Sequence, residues 1–199
     1  MSDIESKVIF GQGDNRWNAC LNDHLDFSQL ARYYLESANG LIERSIKDTS
    51  KLDVYVYSAV FLYRHSVELL LKDLIWTSND LLNSAKPVPL KHNLVQLWQI
   101  LKPNANSLLE SVCPEDFEPL SKERVENVET FLGKVTKYDP DSCSSRYPFD
   151  KEMKRTNSDI HHINVKNLYE EFNRLHEDFG QLSWLFEYLR EREASCGNC

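Results

Sequence analysis

Several features that would name a chemistry are missing from this sequence. No apolar run approaches the ~20 residues that a membrane span requires, so none is expected. Glycine is scarce, six in 199 residues, and no glycine-rich phosphate loop occurs, which disfavours nucleotide-kinase chemistry. Ser, His and Asp are present without a nucleophile-elbow sequence, which disfavours the hydrolases built on one. The cysteines, Cys20, Cys113, Cys143, Cys196 and Cys199, are few and odd in number. The N-terminal Met-Ser-Asp-Ile-Glu has neither the basic start nor the apolar stretch of a secretory signal, so reduced thiols in a cytoplasmic protein are expected. Cys196 and Cys199 are spaced like half a zinc site, but no second pair lies nearby. No metal and no cofactor are expected.

Positive charge is also in deficit. Lys and Arg number 23 against 31 Asp and Glu, a net charge of -8 and a pI near 5.3. Such a surface repels phosphate as a whole, so any nucleic-acid contact must come from a local basic patch.

What is present is helical periodicity. With 41% apolar residues in a chain of this length, one domain with a real core is expected. Residues 1–25, with Gly11, Gly13, Asn15, Asn18, Asn22 and Asp23, show no sustained period and read as an irregular arm packing through Ile9, Phe10 and Trp17. Asp26 is a plausible N-cap for a first helix to about residue 47, whose apolar positions, from Phe27 and Leu30 to Leu41 and Ile42, recur at three and four. A second helix over about 55–76 is apolar on nearly every side, yet carries Arg64, His65, Glu68 and Lys72 in one stripe. Those charges must be paired, because an unpaired ion away from water is costly. His92 opens a short helix with Leu94, Leu97, Trp98 and Leu101 inward, and Pro103 is expected to stop it. Ser121 caps a fourth, with Val125, Val128, Leu132 and Val135 inward. Residues 138–162 break the pattern into a long loop, a length that in a compact domain is usually functional, disordered or wrapped over a partner.

The last helix follows, with Val165, Leu168, Phe172, Leu175, Phe179, Leu182, Phe186 and Leu189 in heptad-like spacing. Trp184, Leu185 and Tyr188 widen that seam. Packing within the domain and homodimerisation through this helix both fit it. The expected architecture is all-α: a bundle of about five helices over 26–192, with a long loop before the last helix and a tail over 193–199.

Four stretches carry a resemblance: Phe61-Leu62-Tyr63-Arg64-His65-Ser66-Val67-Glu68-Leu69-Leu70-Leu71-Lys72, Lys91-His92-Asn93-Leu94, Ser145-Arg146-Tyr147-Pro148 and Ile163-Asn164-Val165. On these the chain resembles bacterial helical-bundle proteins of the HEPN superfamily over roughly 26–192, the first stretch being the distinctive one. The resemblance implies one of two roles. Some members are metal-independent endoribonucleases of toxin–antitoxin and antiviral defence systems. Others are catalytically silent modules that bind RNA, nucleotides or protein partners such as a cognate antitoxin. Nuclease members carry an Arg and a His separated by four to six residues, on a helix at a dimer interface. The His moves the 2′-hydroxyl or leaving-group proton, and the Arg neutralises charge on the phosphate.

The matching segment here is Arg155 with His161 and His162, which have five and six residues between. Asn157, Ser158 and Asp159 within it are turn and cap formers, so it reads as loop rather than helix, a departure from the family pattern. Arg64 and His65 are candidate anion-binding residues if they face a cleft against Arg146 and Tyr147. The plainer reading is a structural ladder, since Arg64 to Glu68 and Glu68 to Lys72 are each four apart on one face. Arg146, Lys151, Lys154, Arg155, His161, His162 and Lys166 make the loop the least acidic part of the chain, with Tyr147 and Phe149 available to stack on bases. A protein-interaction module with no nucleic-acid role is the alternative, favoured by the acidic net charge and the long seam.

Overall fold

The computed structural model describes residues 19, 25–110, 121–140, 142–156 and 160–196, without the side chains of Ala194 and Cys196. Most of the expected N-terminal arm lies outside them. The described residues form five α-helices and no strand: α1 (Phe27–Lys47), α2 (Leu52–Leu81), α3 (Leu94–Glu110), α4 (Lys122–Tyr138) and α5 (Val165–Cys196), with a short 3-10 turn at Thr49–Lys51. None is long and apolar enough to cross a membrane.

The helix starts follow from local chemistry. Asp26 Oδ1 accepts the Gln29 N–H, Asn93 Oδ1 that of Gln96, Ser121 Oγ that of Arg124 and Asn164 Oδ1 that of Asn167. Each satisfies an N–H that the helix itself leaves open. At the far end of α2, Asn83 takes a left-handed φ of 50°, the conformation that ends a helix. It follows that α2 is longer than its periodicity indicates, since Asp53 and Tyr55 ahead of the apolar run, and Asn79 and Asp80 behind it, are still helical.

The central helix is α2, which carries most of its buried residues between Ala59 and Leu81 and packs on α1, α3 and α5. Its Tyr63 stacks on Phe172 at 4.8 Å and gives its hydroxyl to Asn39 Oδ1. Asn39 and Asn173 bond each other, which ties α1 to α5 in a fixed register. The α5 seam is spent inside the chain: Phe172, Leu175, Phe179, Leu182, Leu185, Phe186 and Leu189 are all buried. Trp184 stays outside, stacked on Tyr188.

Two expected boundaries are corrected. Pro103 does not stop α3, which runs on to Glu110. A mid-helix proline costs about 3 kcal/mol, but the turn beyond it buries Ala105 and Leu108 and gives the Asn104 amide to Ser78 Oγ and Asn79 Oδ1 on α2. That packing outweighs the missing hydrogen bond. The last helix, for its part, continues through Cys196, so residues 193–196 are helix rather than tail.

Candidate functional site: a basic groove between the long loop and the start of α2

The loop after α4 is folded onto the bundle by one side chain. Asp139, fully buried, ends α4 by giving its N–H to the Val135 carbonyl. Its Oδ1 accepts the N–H groups of Cys143 (2.7 Å) and Ser144 (3.0 Å), and its Oδ2 the Ser145 hydroxyl (2.9 Å). Its own carbonyl accepts Arg64 Nε at 3.1 Å.

Arg64 is therefore a core residue. It has no exposure, and its other two nitrogens go to Glu68 Oε2 (3.1 Å) and the His92 carbonyl (2.6 Å). Glu68 Oε1 takes Lys72 Nζ at 2.8 Å and lies 2.8 Å from His92 Nδ1. Two cations, Arg64 and Lys72, face two carboxylates, Glu68 and Asp139, so the buried cluster is neutral, as its desolvation requires. Burial alone would raise the Glu68 pKa, but the hydrogen bonds from Lys72 and His92 prevail and hold it below its ordinary value. His65 stacks on Phe61 and meets the edge of Tyr34 at 4.7 Å. Burial lowers its pKa against the pull of Glu68. Neither Arg64 nor His65 lines the groove described next; both belong to the packing beneath it.

Further along, the chain doubles back. Phe149 and Arg155 form an antiparallel bridge, the Thr156 N–H goes to the Pro148 carbonyl, and the Thr156 hydroxyl bonds the Tyr147 carbonyl. Asp150 Oδ1 closes the tip by accepting the N–H groups of Glu152 and Lys154. Lys154 is paired with Glu152 there, and neither it nor Lys151 lines the groove.

Between this loop and the first turns of α2 runs an open groove of about 1190 Å³. Arg146, Tyr147, Arg155, His161 and His162 all line it, with Lys166 from the start of α5. The structure thus gathers five of the seven sequence-derived candidates and leaves out Arg64 and His65. Asp53 is the single carboxylate among the described lining residues, opposite three permanent cations. The groove is a local reversal of an acidic chain. Arg146 is held at its edge: Nε gives to the Ser142 carbonyl at 2.5 Å, and Cζ lies 5.6 Å from the Phe61 ring centre and 5.3 Å from that of Tyr147. Arg155 lies over Phe149. Tyr57 and Tyr147, each more than half exposed, offer two aromatic faces.

Sequence reasoning misses Tyr57, Asp53 and Asp139. For Tyr57 and Asp53 no signal exists, since they lie far from the loop in sequence. Asp139 precedes Pro140, a turn-initiating pair. Among the described residues no group of His, Cys, Asp and Glu is placed to hold a metal ion. Cys199 lies outside them, and so do Asn157, Ser158 and Asp159. No family model, curated protein or solved structure matches this chain.

Proposed function

We propose that this chain is an HEPN-like RNA-binding protein that holds single-stranded RNA in the groove between its long loop and the start of α2. The observation that carries the reading is the reversal of charge: among the described lining residues, three cations and two imidazoles stand against one carboxylate, in a chain of net charge -8. Phosphates supply the complementary charge, and the exposed rings of Tyr57 and Tyr147 offer stacking faces that every base can use. The groove exceeds the roughly 300–1,000 Å³ of small-molecule pockets and is open, which suits a polymer better than a free nucleotide. The HEPN resemblance adds a setting, a toxin–antitoxin or antiviral defence system with a cognate protein partner.

The test is fluorescence anisotropy with a short labelled oligouridine across a salt series. Binding weakens as salt rises, and Arg146→Ala or Arg155→Ala each lowers the slope of log K against log salt by about one. No binding at low salt, or binding indifferent to both substitutions, would refute the reading.

One observation favours a second reading, metal-independent cleavage. Arg155, His161 and His162 line the same groove, although residues 157–159 separate them in sequence. One imidazole takes the 2′-hydroxyl proton as that oxygen bonds to phosphorus, the other protonates the 5′-oxygen as its bond to phosphorus breaks, and Arg155 offsets the charge that gathers on the phosphate oxygens. Total RNA incubated in EDTA decides this. Cleavage abolished by Arg155→Ala and by the His161→Ala/His162→Ala double variant supports catalysis, and intact RNA with the wild-type protein leaves a silent binder.

A further inference from the structure

Asp139 occupies a place that the groove's chemistry does not itself require. It is a fully buried carboxylate at the join between α4 and the loop, following Tyr138 in the chain and bonded to Ser144 and Ser145, all three of which line the groove. Apart from the N–H that it gives to the Val135 carbonyl, its bonds point one of two ways. The carboxylate faces the loop, through two backbone N–H groups and one hydroxyl, with Oδ2 also 3.8 Å from Arg64 Nε, and the carbonyl accepts from Arg64 in the core. The loop is in turn wound tightly around it. Ser142 adopts a φ of 59°, a left-handed conformation that a side-chain-bearing residue resists, and the next two N–H groups are the ones Asp139 holds. The Ser142 carbonyl then accepts Arg146 Nε, while the Cys143 carbonyl accepts the N–H groups of Arg146 and Tyr147. A short run of bonds therefore leads from Arg64 through Asp139 and Cys143 to the guanidinium at the edge of the groove.

We propose that Asp139 is the positioning residue of the groove: anchored on Arg64, it fixes residues 142–147 before a ligand arrives and so presets Arg146 for contact with phosphate. The proposal rests on the RNA-binding reading for its ligand, but the preset loop itself is a property of the free protein. An arginine already immobilised by Ser142, Phe61 and Tyr147 loses little freedom on binding, so the contact is tighter than one made by a free surface arginine. Strain at Ser142 persists because the surrounding bonds over-determine it, the situation found at ligand clamps.

Asp139→Asn is the variant of choice, since it keeps an oxygen for the two N–H groups while removing the charge that faces Arg64. Ser145→Ala is the milder companion: it deletes one loop bond and leaves the core charges balanced. Two measurements are made on each. Hydrogen exchange in the free protein reads the amides of 143–147, with α2 and α5 as the internal reference. Oligouridine affinity reads the groove, in the wild type, Asp139→Asn, Arg146→Ala and the Asp139→Asn/Arg146→Ala double variant.

The expected result is faster exchange confined to 143–147 and an affinity about tenfold weaker in Asp139→Asn, with the double variant no weaker than Arg146→Ala alone. That non-additivity separates positioning of Arg146 from general loosening. Additive losses would overturn the proposal, as would unchanged exchange at 143–147. If Asp139→Asn exchanges faster throughout, Ser145→Ala decides: a change confined to 143–147 sustains the proposal, and no change there overturns it. Wild-type protein that fails to bind oligouridine refutes the RNA reading by itself. The exchange result then still decides whether Asp139 presets the loop.

Discussion

His176 sets the acid limb of stability. It is half-buried beside Ser66, with Nε2 at 2.9 Å from the Ser66 hydroxyl, and desolvation pushes its pKa from 6.5 down to about 4. Because the folded value lies below the unfolded one, the unfolded chain takes up the proton first as pH falls. Stability is full above pH 6.5 and is lost as pH drops through 4, by roughly 3 kcal/mol. A falling thermal midpoint between those limits is expected, and His176→Gln, which keeps a hydrogen-bonding group without titrating, should flatten it. Asp73 acts in the opposite sense. Burial first, then the charge of Asp26, raises its pKa from 3.8 to about 6. Its contribution is present below pH 3.8 and lost as pH rises through 6, leaving a poorly solvated anion at neutral pH. Asp73→Asn retains an acceptor for the Ser28 N–H and should raise urea-unfolding stability at pH 7.5 by about 1 kcal/mol, a value discounted because the group is partly exposed.

At the scale of elements, α5 and α3 make opposite predictions. Phe179 has no exposure and packs on Trp98 with ring centres 5.7 Å apart. Phe179→Ala should cost about 3–5 kcal/mol in denaturant titration. Pro103→Ala should stabilise, by about 1 kcal/mol, because it restores a helix hydrogen bond while the Asn104 contacts to α2 already fix the turn's direction. A loss instead would mean that the proline aims that turn. Helices were legible wherever one face is buried and the other wet, as in α1 and α4. Pro103 misled because proline's effect on a helix is local, whereas the burial of Ala105 and Leu108 that overrides it is tertiary.

For the whole molecule, charge and surface decide what can associate. With a net charge of -8, RNA binding should be confined to the groove, so a salt slope set by Arg146, Arg155 and Lys166 is expected rather than a larger one from scattered contacts. If two copies associate along α5, the inner seam is already filled and the outer face with Trp184 and Tyr188 is what remains. Trp184→Lys is then the variant that turns a dimer into a folded monomer in sedimentation velocity.

Residue types and their spacing were enough, by themselves, to determine an all-α bundle of about five helices, two of the caps that start them and the long loop before α5. Those are local properties, read from periodicity and from the hydrogen bonds that a helix end leaves open. Only the tertiary structure decided the fate of the charges. Arg64 and Arg146 both stand beside an aromatic residue, and although Glu68 four residues on made a paired ladder the plainer reading for Arg64, its partners Asp139 and His92 lie far off in sequence. One is sealed among Glu68, Asp139 and the His92 carbonyl, and the other is left at the edge of a groove. The difference lies in which distant backbone and carboxylate groups the fold brings within bonding distance, and that is settled only when α2, α4 and the loop meet.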